Sequence, residues 1–197
     1  SPELGNKRLK PGDEVITTPI SFFATCEAVS FLKGTPVFVD VDPNTFCIDP
    51  QKIEAAITPR TKAIIPVHIF GQCTDMDPIL EIAKKHKLHV IEDAAEALGS
   101  LYQNQHVGHW GALSVLSFNG NKICTTGGGG AILTHDEALG KRIRHTATTA
   151  KVAHPWAFTH DEVGYNYRMP NLNAALGVAQ LEELPIFLER KRALAER

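Results

Sequence analysis

The alternation of short apolar segments with longer amphipathic segments constrains the fold of this chain more than any other feature. DEVITT is followed by CEAVSFL, TPVFVD by PQKIEAAI, and TKAIIPV by DMDPILEIAKKHK, before the segment LHVIED. Segments 63–67 and 89–91 are almost continuously apolar, which is typical of parallel strands covered on both faces. The sequence therefore predicts an α/β domain with a mostly parallel sheet and helices on both faces.

Composition and charge exclude several classes of protein. The 197 residues are 43% hydrophobic and 21% charged, with a formal net charge of -2, as in ordinary soluble globular domains. The absence of a long Lys/Arg run argues against a nucleic-acid surface. No apolar stretch reaches the roughly 18–20 residues that span a bilayer, and the segment SPELGNKRLK is too polar for a signal peptide. We therefore expect a cytoplasmic protein with no membrane or nucleic-acid partner.

The four cysteines lie far apart in the sequence, at Cys26, Cys47, Cys73 and Cys124. None of them forms the close pairs that are typical of zinc and iron-sulfur ligands. We expect no metal site, and we expect the cysteines to be reduced and structural.

The second half of the chain has a looser pattern. A strand is predicted at 113–118, and the segment 122–134, with its central glycines, resembles a hairpin. From Pro170 the sequence predicts a helix almost to the end of the chain. Pro185 is expected to break or kink this helix, since proline lacks the N–H that an inner helical position donates.

Asp93 follows the apolar segment HVIE, where the carboxyl end of a parallel strand presents side chains to a ligand crevice. A buried carboxylate is costly unless it pairs with a cation, and a protonated pyridine nitrogen is such a partner. The position is equally compatible with the N-cap of a helix after the strand. Position alone leaves both interpretations open.

Lys122 comes shortly after the apolar segment SVLSF and a few residues before four consecutive glycines, at 127–130. An amine in this place can form a Schiff base with a carbonyl group, whereas most loop lysines are simply solvated. The glycine run could cradle a phosphate or form a tight turn. It lacks the Gly-Lys-Ser/Thr ending of a P-loop, so it does not by itself identify a nucleotide site.

Taken together, six motifs resemble those of the DegT-type nucleotide-sugar aminotransferases, which are fold type I enzymes that use pyridoxal phosphate. The motifs are PGDEVITTPISFFAT at 11–25, FVDVDPNTFCID at 38–49, VHIFGQ at 67–72, IEDAAEALGS at 91–100, SFNGNKICTTGGGGAIL at 117–133 and GYNYRMPNLNAALGVAQLE at 164–182. They extend over nearly the whole chain. The resemblance implies the large domain of a fold type I transferase.

Residue by residue, the resemblance implies that Lys122 holds the cofactor as a Schiff base and later carries a proton to or from the substrate carbon. It implies that Asp93 pairs with the pyridinium nitrogen and keeps the ring able to accept electrons. Glu96 matches the position that faces the ring's phenolic oxygen. Phe22 matches the aromatic stacked on the pyridine, and Ser117 matches a hydroxyl that binds the phosphate.

Three of these positions also have purely structural interpretations. Phe22 is alternatively a core aromatic, and Phe23 beside it leaves the register of the motif open. Ser117 is alternatively an ordinary hydroxyl at a strand end. Glu96 is alternatively a solvated helix residue.

The resemblance also implies a homodimer, because Asn166 matches a residue that reaches the phosphate in the neighbouring subunit. Tyr165, Tyr167 and Arg168 are candidates for the same interface, although Arg168 is equally suited to a structural salt bridge. His68 ends a strand on the predicted ligand side, and the sequence assigns it no role.

Members of the family resembled are much longer than this chain. We therefore expect residues 1–197 to be part of the cofactor-binding large domain, truncated at both ends and ending in the helix toward a small C-terminal domain. The family's N-terminal phosphate-binding turn, which uses free N–H groups at the start of a helix, has no match here. We expect the isolated chain to bind pyridoxal phosphate weakly and to lack transaminase activity.

The glycine run and the segment HDEVGYNYRMPNLNAALG are most similar to the branch that makes 4-amino sugars for legionaminic acid and related bacterial surface glycans. This implies amino transfer from glutamate to the 4-keto carbon of a UDP-linked 4-keto-6-deoxy-N-acetylhexosamine. Two alternatives stay open, a sugar 3-dehydratase with histidine in place of the lysine and a non-catalytic sensor or structural relative. Lys122 argues against the first, and Lys122 together with Asp93 argues against the second.

Overall fold

The computed structural model describes residues 8–197, so the first seven residues of the predicted 1–197 domain lie outside the described part. The strands are β1 Glu14–Thr17, β2 Thr35–Phe38, β3 Thr61–Ile64, β4 His89–Asp93, β5 Leu101–Tyr102, β6 Gln105–His106, β7 Leu113–Ser117 and β8 Gly130–Leu133. The α-helices are α1 Ala24–Phe31, α2 Pro50–Ile53, α3 Met76–His86, α4 Glu137–Ala147 and α5 Asn171–Ala195.

A six-stranded sheet in the order β2-β1-β3-β4-β7-β8 organises the molecule. The first five strands pair in parallel, and only β8 runs antiparallel, along β7. The prediction of a mostly parallel sheet is confirmed. The strand order reverses between β1 and β3, and such a reversal opens a ligand crevice beyond the carboxyl ends of the strands.

Helices cover both faces of the sheet, as the sequence predicts. Neighbouring residues of one strand point to opposite faces, so Val15 and Ala63 pack with Val29 of α1. Ile16 and Ile64 face the other side, where they join a larger buried cluster. That cluster includes residues of α2 and α3, which are Ile53, Met76, Ile79 and Ala83.

The predicted hairpin at 122–134 is wrong. Residues 122–129 form an irregular loop, and β8 pairs instead with β7, with Ser117 opposite Gly130. Glycine is required at position 130, because a Cβ there would lie 2.6 Å from the backbone oxygen of Leu116. The long loop therefore carries Lys122 at the end of β7 rather than within a tight turn.

Helix α5 runs without interruption through Pro185, so the expected break is wrong, whereas a kink stays a prediction. Pro185 is exposed, as is Leu181, whose carbonyl an inner helical N–H at position 185 would bond. No helix within residues 8–197 combines the length and the apolar character needed to cross a membrane.

The outer strand β2 contains a proline. The N–H of Thr35 donates to the Asp13 oxygen and the N–H of Val39 to the Thr17 oxygen, so these residues face β1. Pro36 comes between them in the alternation, and its nitrogen therefore points to the open edge of the sheet.

All four cysteines are free thiols. Cys47 and Cys124 are buried, and burial raises the pKa of both thiols. Buried, protonated thiols are poor nucleophiles and poor metal ligands, which agrees with the structural role predicted for them.

Candidate functional site

The carboxyl ends of three parallel strands carry the candidate residues that the sequence singles out. Phe22 follows β1, Asp93 ends β4 and is followed by Glu96, and Lys122 follows β7. Ser117 is the last residue of β7. Because β1, β3, β4 and β7 are neighbours running in the same direction, these segments meet at one edge of the sheet.

Asp93 is half-buried and is oriented by two neutral donors. The Thr25 hydroxyl donates to Oδ2 at 2.6 Å, and the Ala95 N–H donates to Oδ1 at 3.1 Å. Residues 94–99 form turns rather than a helix. The N-cap interpretation of Asp93 is therefore wrong.

Asp93 retains the capacity to bind a cationic donor. None of the ion pairs between described residues involves Asp93, and its two donors leave lone pairs on both oxygens. A half-buried carboxylate held by neutral groups at a sheet edge fits a ligand N–H that carries positive charge. The arrangement thus fits a protonated pyridine nitrogen.

Lys122 and Glu96 form an ion pair across two loops. The Lys122 Nζ lies 3.3 Å from the Glu96 Oε1, and the side chains are only 15% and 30% exposed. The Glu96 Oε2 accepts the N–H of Phe70 at 2.9 Å. The alternatives of a solvated loop lysine and a solvated helix glutamate are both wrong, because Lys122 is largely enclosed and Glu96 lies in a turn with two partners.

Phe70 was not identified from the sequence. It has a left-handed backbone, with φ of 53°, and its side chain is 83% exposed. A non-glycine residue in this region is strained, and such strain is concentrated at functional sites. Its conformation directs the N–H toward Glu96, so the loop after β3 contributes to holding the ion pair in place.

Phe22 is 68% exposed, and its ring centroid lies 4.6 Å from that of Phe23, which is 57% exposed. The core-aromatic interpretation of Phe22 is therefore wrong. Both rings precede α1, whose Thr25 contacts Asp93. Which of the two rings stacks on a ligand stays a prediction.

Ser117 and Asn166 are placed differently. Ser117 is half-buried at the strand end, and among residues 8–197 its hydroxyl oxygen accepts only the Asn119 N–H, at 3.3 Å. Asn166 is exposed and forms a backbone bridge with Thr148, and it makes no described hydrogen bond with the other candidate residues. Arg168 is exposed and takes part in no ion pair within the described chain, so both of its interpretations stay predictions.

A second carboxylate, Glu92, lies beside Asp93 in β4 and faces the opposite side. It is fully buried. Backbone N–H groups of Gly108, Trp110 and Gly111 donate to it at 2.6, 2.8 and 2.6 Å. Glu92 thereby fixes the turn that leads into β7.

The fourth donor to Glu92 is His68, which is also fully buried. The Thr74 N–H donates to Nδ1 of the ring at 3.1 Å, so the proton is on Nε2, which lies 3.1 Å from Glu92. Burial acts to raise the pKa of Glu92, but the bonds from His68, Gly111 and Gly108 outweigh it and hold the pKa below its usual range. His68 therefore has a structural role and does not contact Lys122.

One cluster elsewhere brings potential metal ligands together. Atoms of His145, Asp161 and Glu162 lie within 4.8 Å of one another. Glu162 already pairs with Arg142 and Arg8, and the bond from Arg142 is the main cause that lowers the pKa of its carboxyl. The cluster joins α4 to the following segment.

The family model for the DegT/DnrJ/EryC1/StrS aminotransferase family matches residues 3–197. GDP-perosamine synthase of Caulobacter vibrioides is 49% identical over 88% of this chain and 47% of its own length. UDP-2-acetamido-2-deoxy-3-oxo-D-glucuronate aminotransferase of Pseudomonas aeruginosa is 44% identical over 93% of this chain and 51% of its own length.

Among solved structures, that of Spr1654 from Streptococcus pneumoniae in its PLP form aligns with a TM-score of 0.91 at 28% identity. It covers 98% of this chain and 55% of the other. The chain thus spans about half the length of the curated relatives it matches. These similarities extend over the same sheet edge on which Asp93, Glu96 and Lys122 lie.

Proposed function

The chain belongs to the DegT/DnrJ/EryC1/StrS aminotransferase family, and from this we propose that the whole protein is a pyridoxal-phosphate-dependent nucleotide-sugar aminotransferase. Residues 1–197 would form most of its cofactor-binding domain. The observation that carries the proposal is the Lys122–Glu96 pair of 3.3 Å beside a carboxylate, Asp93, that has no cationic partner among the described residues.

We propose that Lys122, Asp93, Glu96, Phe22 and Ser117 hold the cofactor. When bound, pyridoxal phosphate supplies an electron sink for the charge left on the substrate carbon. Asp93 would keep the pyridine nitrogen protonated, and Glu96 would face the ring oxygen. Phe22 would cover the ring face, and Ser117 would donate to the phosphate.

Lys122 would have two roles in this reaction. Its amine would be the nucleophile that holds the cofactor aldehyde, and once released it would move a proton to or from the substrate carbon. Glu96 restrains the amine on the sheet edge. The ion pair is partly enclosed, which limits access of water to the amine.

For the substrate, we propose a UDP-linked 4-keto-6-deoxy-N-acetylhexosamine, with glutamate as amino donor, in the synthesis of bacterial surface glycans. The motif resemblance supports the nucleotide-sugar class and the 4-position. The printed names of relatives include a 3-oxo sugar aminotransferase and GDP-perosamine synthase, so position and nucleotide are the points to test. A cytoplasmic location stays a prediction.

We also propose a homodimer in which Asn166 reaches the phosphate site of the partner subunit. In support, Asn166 is exposed, and its sequence neighbours Tyr165 and Tyr167 stack their rings on each other with centroids 5.2 Å apart. Nearby, Trp156 and Phe158 are 84% and 81% exposed. Exposed aromatic groups of this kind are typical of surfaces that a partner covers.

The proposal is tested with the whole protein, pyridoxal phosphate and glutamate. UDP-4-keto, UDP-3-keto and GDP-4-keto sugars are offered in parallel, with simple 2-keto acids as controls. We expect amino transfer to the UDP-4-keto sugar, and we expect borohydride to leave the pyridoxyl label on Lys122 by peptide mapping. Reaction with another nucleotide sugar would revise only the substrate, whereas reaction with 2-keto acids alone would overturn the nucleotide-sugar assignment.

A further inference from the structure

One face of α5 contacts the loop that carries Lys122. Asn173, Gly177 and Gln180 are spaced by four and three residues, so they lie on the same side of the helix. The Asn173 Nδ2 donates to the Thr126 oxygen, and the Gln180 Oε1 accepts the Thr125 N–H at 3.2 Å. The helix therefore bonds both a donor and an acceptor of the loop backbone.

Gly177 allows the helix to approach this loop closely. A Cβ at position 177 would lie 2.9 Å from the Thr126 Cγ2. Thr126 is only 2% exposed, and its hydroxyl donates to the Gly128 oxygen at 2.7 Å, which fixes its orientation. Any larger residue at 177 must displace either the helix or the loop.

The other end of the same helix contacts the loop after Asp93. Gly99 lies under Leu188, where a Cβ on the glycine would be 2.6 Å from the Leu188 Cδ1. The Arg192 Nη2 donates to the Gly99 oxygen at 3.3 Å. Gly99 is three residues from Glu96, so α5 contacts both loops whose side chains form the ion pair.

We propose that Gln180 and Gly177 are positioning residues that set the placement of Lys122 for its reaction with the cofactor. They hold loop 122–129 against α5, while the Gly99 contact holds the loop of Glu96 on the same helix. The distance between the two loops is thereby set by a rigid element. The inference rests on the proposed function, because it assigns these residues a purpose in the chemistry of Lys122.

Two variants of Gln180 test the hydrogen bond in the whole protein. Gln180→Leu removes the acceptor of the Thr125 N–H, whereas Gln180→Glu keeps an acceptor and serves as the conservative rescue. In Gln180→Leu we expect hydrogen exchange at the Thr125 amide to rise by about tenfold, the effect of one lost hydrogen bond. We expect the rate of borohydride-trapped labelling of Lys122 by pyridoxal phosphate to fall by a similar factor.

Enlarging Gly177 and then reducing Thr126 tests the close contact between α5 and the loop. Gly177→Ala adds a Cβ that meets the Thr126 Cγ2, and this contact opposes the gain in intrinsic helix stability. A purely structural role therefore predicts a changed Tm with normal labelling of the folded protein. We expect the labelling rate to fall instead, and we expect Thr126→Ser added to Gly177→Ala to restore it. Serine lacks the Cγ2 that the new methyl meets, but it keeps the hydroxyl that bonds Gly128. Val178→Ala, on an exposed position of α5, is the control.

The two measurements separate the possible failures. Labelling rates in Gln180→Leu and Gly177→Ala that equal the wild-type rate would overturn the positioning role, whatever the exchange at Thr125. Wild-type protein that gives no label on Lys122 would instead overturn the proposed function. Reduced labelling with restoration by Gln180→Glu and by the Thr126→Ser double variant would support the inference.

Discussion

Glu92 and Asp93 are adjacent carboxylates in one strand, yet their surroundings are opposite in kind. Glu92 is fully buried and accepts four N–H bonds, from His68 and three backbone groups. Asp93 is half-buried and has two donors, Thr25 and Ala95. The strand alternation sends the first into the core side of the sheet and the second to the ligand edge.

The difference shows how a carboxylate becomes structural or functional without any change in its chemistry. The lone pairs of Glu92 are occupied by protein donors, so its charge stabilises the fold and is not available to a ligand. Asp93 is oriented by neutral donors and keeps lone pairs for a further donor. Glu96 follows the same principle, since one oxygen is held by the backbone and the other contacts Lys122.

The largest effect is expected at the ligand edge of the sheet, where Asp93 and Glu96 lie, in the variant Lys122→Ala. We expect amino transfer to fall by about 10⁴-fold or more, because the variant loses the nucleophile and the acid-base group together. Unfolding free energy should change by no more than about 1 kcal/mol, the contribution of a partly exposed ion pair. Steady-state kinetics and chemical denaturation measure the two quantities, and a variant that keeps wild-type turnover would remove Lys122 from the mechanism.

Asp93→Asn changes the charge of the open carboxylate with little change in shape. We expect turnover to fall by about 10²–10³-fold, as for other lost electrostatic contacts to a reacting group. The free energy of unfolding should change by about 1 kcal/mol at most, since the amide oxygen can still accept one of the two neutral donors. Near wild-type turnover with a large loss of stability would place Asp93 in the same structural class as Glu92.

Glu92→Gln is the matched change at the buried carboxylate, whose oxygens already accept four N–H bonds. The amide NH₂ group would face backbone N–H donors, so we expect the unfolding free energy to fall by about 2–3 kcal/mol. Turnover per folded molecule should fall far less than in Asp93→Asn. Comparing both variants by denaturation and by active-site titration tests this, and the comparison fails if the two variants lose stability and activity in equal proportion.

The smallest effect concerns pH. The pKa of Glu92 is lower in the folded protein than in the unfolded chain, where a glutamate titrates near about 4.3. The contribution of Glu92 to the free energy of unfolding is therefore complete above its pKa in the unfolded chain. This contribution is lost as the pH falls through its pKa in the folded protein. One proton gives a slope of about 1.4 kcal/mol per pH unit at most.

We expect the stability difference between wild type and Glu92→Gln to be largest at neutral pH and to narrow in acid. Other carboxyls with lowered pKa, such as those of Glu14 and Glu54, are common to both proteins and cancel in the difference. Chemical denaturation of both proteins at a series of pH values, from pH 7 into the acid range, measures this difference in unfolding free energy. A difference that does not vary with pH would show that charge is not the source of the effect of Glu92.

Much of this arrangement is predictable from local patterns. The alternation of segments gives the parallel sheet, and the ends of its apolar strands give Asp93 and Lys122. The same alternation contains the signal for Glu92, because in β4 it shares a face with Val90, a residue of the main core. A carboxylate on the core face of a strand must find several donors, although its partners around position 110 cannot be read from the sequence.

The predictions that are wrong depend on contacts distant in sequence. The glycine run favours a hairpin locally, but Gly130 pairs with β7 because only glycine fits against the Leu116 oxygen. The local sequence at Pro185 favours a helix break, but α5 continues through it and is bonded to two loops along its length. The left-handed Phe70 likewise depends on the carboxylate of Glu96 from another loop.

The proline in β2 has a consequence for how copies of this chain behave beside one another. An unprotected outer strand offers a row of N–H and C=O groups on which a strand from another molecule can add. In β2 the nitrogen that faces outward at position 36 belongs to a proline and has no hydrogen to donate. The strand is also only four residues long. Strand-to-strand growth at this edge would therefore lack a regular ladder, which protects the protein from aggregation when it is concentrated or newly synthesised.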